Sequence, residues 1–169
     1  HSLKMPEAVY WIGWTHVQDE NLDAAKKVYW NTIRAHGDKP ELFAMEELLT
    51  ALPKVYKRQG PGGIDELKQE LSKLYDEAMA AEQKTLALRA FWAEAHVVMP
   101  ENEALGNGLL VRAGSLVDPK VHNPIIIADA ADAALESGTI NIAEKLYTEL
   151  RRWNPVSYHK ARAYKGLGY

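Results

Sequence analysis

Histidines, clustered carboxylates and glycine-rich turns are where this sequence could do chemistry. Its six histidines are His1, His16, His36, His96, His122 and His159. No two stand at i,i+4 and there is no His-Glu-x-x-His run, so the ligand spacing of a zinc hydrolase is missing. The chain has no cysteine, which excludes thiolate metal sites, iron–sulfur clusters, disulfides and cysteine nucleophiles. The carboxylates of Glu46-Glu47, Asp65-Glu66 and Glu101 with Glu103 invite comparison with an acid/base pair. Each cluster falls at a helix start or on a polar stripe, where solvated charge is the simpler account. Gly60-Pro61-Gly62-Gly63 lacks the Gly-x-x-x-x-Gly-Lys-Ser/Thr spacing of a phosphate loop and reads as a turn. Gly106 and Gly108 lie in a helical segment, where close helix packing would explain them. His16 reads as a packed or half-packed ring. The residues therefore assign no catalytic group, metal or cofactor, and the chain reads as something other than an enzyme.

The elements that position these residues follow from periodicity and punctuation. Of 169 residues, 47% are hydrophobic and 25% charged, enough apolar material to bury a core. The net charge of −3 and the confinement of basic spots to Lys54, Lys57, Arg58 and Arg151-Arg152 argue against a nucleic-acid partner. No apolar run approaches the roughly 18 residues that span a bilayer. Turn signals at 37–40, 60–63, 99–102, 118–124, 137–139 and 154–155 separate segments of helical period such as Leu67, Leu71, Leu74 and Ala78. The one β-like run, Ile125-Ile126-Ile127, leads straight into an alanine-rich stretch and reads as the opening of a buried helix. The expectation is an all-α chain of about nine helices, with Pro53 kinking or breaking the one around 48–56. The His1-Ser2-Leu3 opening and the uncapped pattern over 161–169 read as a piece of a longer chain. Cell-envelope and cytoplasmic locations both stay open, the aromatic-rich, cysteine-free composition leaning towards a bacterial envelope.

An internal repeat is visible. Val9, Ile12, Gly13, His16, Glu20, Ala25, Tyr29, Thr32 and Gly37 recur as Ile127, Ala130, Ala131, Ala134, Gly138, Ala143, Tyr147, Leu150 and Pro155. Pro119 and Pro155 lie 36 residues apart. This pattern resembles the tetratricopeptide repeat, a helix pair of about 34 residues that stacks into a solenoid. The resemblance divides the chain into units over 6–37, 86–119 and 124–155 and a partial unit over 157–169, with a longer, irregular helix pair over 40–85. It implies a right-handed superhelical array that binds a protein or peptide partner without catalysis.

The resemblance also implies a concave groove lined by the first helix of each unit. The residues it places there are Tyr10, Trp14 and Val17, then Arg89, Trp92 and His96, then Asp132, then Arg162 and Lys165. Tyr10, Trp14 and Trp92 would supply aromatic contact area, and Arg89, Arg162 and Lys165 would hold a carboxylate. The Lys/Asn clamp of the best-known peptide-binding members is absent at Tyr10 and Trp14. Trp14 and Trp92 are equally compatible with core packing; Trp11, Trp30 and Trp153 lean towards core or packing between repeats. Self-association through the open final helix is a further expectation. The rival reading is a helical enzyme or cofactor-binding domain with its site near His96, covered by 40–85.

Overall fold

The computed structural model describes residues 3–152, 162, 163 and 165–168. Among these the fold is all helix, without a strand: α1 (Met5–Gln18), α2 (Leu22–His36), α3 (Met45–Arg58), α4 (Gly63–Ala80), α5 (Lys84–Val98), α6 (Glu103–Leu116), α7 (Pro124–Glu136) and α8 (Ile140–Arg152). Most of the ninth expected helix lies outside the described residues, although 162, 163, 165 and 166 are helical. The chain divides into two compact units, His1–Val97 and Val98–Tyr169.

In the first unit, short turns force successive helices to run antiparallel. The Asn21 side chain accepts the Ala24 amide (3.2 Å) and caps α2. Tyr29 of α2 returns along α1 and donates to the Tyr10 carbonyl (2.9 Å). A Cβ on Gly13 would stand 2.2 Å from the Tyr29 ring, so this crossing requires glycine. Trp30 donates to the Tyr56 hydroxyl (2.9 Å) and Lys26 lies over the Tyr56 ring at 4.3 Å, matching the first half and middle of α2 with the end of α3. Lys26–Glu66 and Arg34–Glu70 (both 3.2 Å) then run in register between α2 and α4. Two antiparallel steps make α1 and α3 parallel, and they pack side by side. α2 and α4 form the second layer, tied by ion pairs.

The turn over 60–63 forms as expected, with Gly62 at φ 84° ahead of the first residue of α4. The irregular middle pair is less unusual than its sequence suggests. α3 has 14 residues, like α1, and only α4 is long, at 18. Pro53 does not break α3, which runs through it from Met45 to Arg58. Leu48, Leu49, Leu52, Val55 and Tyr56 around it are all buried, and that packing outweighs one lost backbone hydrogen bond.

The second unit is built on α7. Asn123 caps it and Pro124 opens it, so the three isoleucines start a helix as expected. Seven of its residues are buried, five of them alanines, which lets α6 and α8 approach on separate sides. Asn107 donates to Glu136 (3.0 Å), setting α6 antiparallel to α7. Gly114 of α6 lies close to Ala130 of α7 and to Leu146 and Ile142 of α8. Gly106 is buried as expected of a packing glycine, whereas Gly108 is exposed and faces open space.

Candidate functional site

The expected groove residues fall into three different environments. Tyr10 and Trp14 stand one turn apart on α1, half-buried, with rings nearly parallel (7°) and centroids 6.5 Å apart. Arg58, at the end of α3, lays its guanidinium over Trp14 at 5.6 Å and donates to the Val17 carbonyl (3.2 Å). One cation thereby adds a second donor to the Val17 carbonyl, which also accepts the Glu20 amide (3.2 Å), and rigidifies the aromatic pair. Val17 is fully buried beneath this arrangement and offers no surface of its own. Sequence places Arg58 simply at a helix end; nothing local signals that it would reach a neighbouring helix.

The α5 residues turn inward. Arg89 is 1% exposed. Its Nε donates to Glu46 (2.8 Å), Nη1 to the carbonyls of Gly37 and Lys39 (2.8 Å each), and Nη2 to that of Leu42 (2.9 Å). The expectation that it holds a partner's carboxylate is corrected: its carboxylate is Glu46, and it staples the 37–46 connection to α5. Trp92 is also 1% exposed and belongs to the core, not to an open surface. His96 is half-buried with its ring edge on Trp92 at 4.7 Å. The physical reason is that α5 is apolar nearly all round, so α5 is enclosed on most sides instead of presenting one stripe.

Trp11 departs the other way. Expected in a core or between repeats, it is 60% exposed, and Ile12 beside it is 52% exposed. Trp30 is buried as expected; Trp153 lies outside the described residues.

In the second unit, Asp132, Arg162 and Lys165 do come together. With Asp129, Leu135, Glu136, Tyr147 and Gly166 they line a recess of about 650 Å³. Arg162 donates through Nε to Asp132 (3.0 Å) and through Nη2 to Asp129 (2.9 Å) and Asp132 (2.6 Å). The Tyr147 hydroxyl donates to the other Asp132 oxygen. Burial, then the hydrogen bond to Asp132, pushes the Tyr147 hydroxyl well above its usual range. Burial works against the Arg162 charge, but its hydrogen bonds to Asp132 and Asp129 outweigh that and raise its pKa. Arg162 is thus engaged by two carboxylates of this chain, which corrects its expected role as a holder of a partner's carboxylate. Lys165 is exposed at the rim.

Among the described residues no three His, Asp or Glu side chains gather as a metal-binding group, and no helix is long and apolar enough to cross a membrane. No protein-family model, no curated protein and no solved structure matches this chain.

Proposed function

We propose that the chain is a non-catalytic interaction module of stacked helix pairs, whose α1–α3 face holds a peptide segment of a partner through Tyr10 and Trp14. The observation that carries this reading is the stacked, half-exposed aromatic pair fixed by Arg58. Rings held in place before binding give contact area at little entropic cost, the composition of an interface hot spot. Support for a tetratricopeptide-like solenoid comes from the two-layer order of the first unit. There α1 and α3 lie parallel in one layer and α2 and α4 in the other. The small residue at Gly13 meeting the large one at Tyr29 fits the same packing.

The test is selection from a random-peptide phage library on the immobilised chain, followed by binding of the winners to a Trp14→Ala variant. A central aromatic hot spot of about 2 kcal/mol predicts roughly a 30-fold loss of affinity with helicity unchanged by circular dichroism. Equal binding to both proteins, or no enrichment at all, contradicts the reading.

A further inference from the structure

The charge around the aromatic pair says more than that a peptide docks there. The α3 side of the face carries Lys54, Lys57 and Arg58 in the last two turns, all exposed. Elsewhere in the first unit several cations find carboxylates: Lys26 with Glu66, Arg34 with Glu70 and Glu77, Lys68 with Asp65, Lys73 with Glu77. Among the described residues the exposed Lys27 and Lys84 do not, but they stand singly on other helices. Lys54, Lys57 and Arg58 have no carboxylate within 4 Å among the described residues, although Asp19 and Glu20 follow α1 nearby in sequence. The helix dipole accounts for cations in a final turn. It does not account for Lys54, a full turn earlier, nor for a guanidinium held over an indole. Because α1 and α3 are parallel, their acids Glu7 and Glu47 sit at the N-terminal end and the three cations at the C-terminal end. Within the two helices the charge is graded along the face, with the aromatics between, while the exposed Asp19 and Glu20 just past α1 add two acids at the cationic end.

We propose that the occupant of this face is an acidic peptide segment: side-chain carboxylates towards Lys54, Lys57 and Arg58, and an aromatic or large apolar side chain on Tyr10 and Trp14. This rests on the peptide-binding reading above and adds the chemical class of the partner. Three cations on a chain of net charge −3 suit a short acidic stretch and are few for a nucleic-acid backbone. Exposed charges of this kind set preference and encounter more than total affinity. The expected discrimination is therefore modest, on the order of tenfold, and salt-sensitive.

Fluorescence anisotropy of the full chain tests it, using labelled peptides that share a central Phe and carry flanking Glu, Gln or Lys, alongside a single-stranded oligo-dT. The Glu peptide should bind about tenfold more tightly than the Gln peptide and weaken several-fold as salt rises from about 50 to 300 mM. A Lys54→Glu/Lys57→Glu double variant, both positions being exposed, should keep its helicity and lose or invert the preference. Equal affinity for Glu and Gln peptides, with Trp14→Ala still weakening both, overturns the acidic class and leaves the peptide face standing. Tighter binding of oligo-dT than of the Glu peptide overturns it in favour of nucleic acid. Binding by no peptide of any charge overturns the peptide face itself, and this inference with it.

Discussion

Replacing Arg89 with methionine removes the charge and all four hydrogen bonds while keeping much of the side-chain volume. It leaves Glu46, 4% exposed, without its cation at 2.8 Å, and strips one donor each from the carbonyls of Gly37, Lys39 and Leu42. Breaking a buried ion pair from one side costs about 3–5 kcal/mol, most of it the uncompensated charge left behind. Each under-satisfied buried carbonyl adds up to about 1 kcal/mol, less where water reaches it, as at half-buried Lys39. A total of about 4–6 kcal/mol is a large share of the roughly 5–15 kcal/mol that stabilises a domain. With a urea m-value of about 2 kcal/mol/M, the midpoint should fall by about 2–3 M. Urea titration followed by far-UV circular dichroism reads this directly. The double variant Arg89→Met/Glu46→Leu should recover much of the loss, because the orphaned carboxylate is gone. A single-variant loss below about 1 kcal/mol would refute the staple and return Arg89 to the open surface that the repeat resemblance implies.

Further outcomes follow from the packing. Burial, then the nearby Asp76, raises the Glu94 pKa, so its ionised form opposes folding. That carboxyl favours the fold below the ordinary Glu range, and the benefit is lost as pH rises through its raised folded-state pKa. Thermal melts should accordingly show Glu94→Gln more stable than wild type at pH 7, with the gap closing below about pH 4. Gly13→Ala, whose Cβ would lie 2.2 Å from the Tyr29 ring, should cost about 1–3 kcal/mol in chemical denaturation. Gly108→Ala, facing open space inside α6, should gain about 0.5–1 kcal/mol. Trp92→Ala should cost about 3–5 kcal/mol, whereas Trp11→Ser at an exposed site should stay within about 0.5 kcal/mol; the reverse ranking would contradict their placement.

The all-α architecture was legible because turn dipeptides punctuate the chain and the segments between them carry one period. The 60–63 turn and the helix opening on Ile125 were legible for the same local reasons. What resisted sequence reading was the angle at which each helix faces its neighbours. α1 packs Val9, Tyr10, Trp11 and Ile12 in succession, and α5 is nearly all Ala, Leu, Phe, Trp and Val around Arg89. Helices apolar all round leave the solvent side to be set by tertiary contacts. Trp11 therefore emerged exposed, while Trp92 and Arg89 went inside. The partners of Arg89, Arg58 and Arg162 lie 43, 41 and 30 residues away in sequence, a separation that no local pattern encodes. Pro53 survives inside α3 by the same route, held by long-range packing.

The most direct test of the α1–α3 face is the indole region of a two-dimensional proton–nitrogen spectrum, where the chain's five tryptophans each give one side-chain signal, assigned by single Trp→Phe variants. On titration with the Glu/Phe peptide, the Trp14 indole should shift progressively to saturation while those of buried Trp30 and Trp92 hold still. A saturating shift elsewhere with Trp14 unmoved would contradict the account.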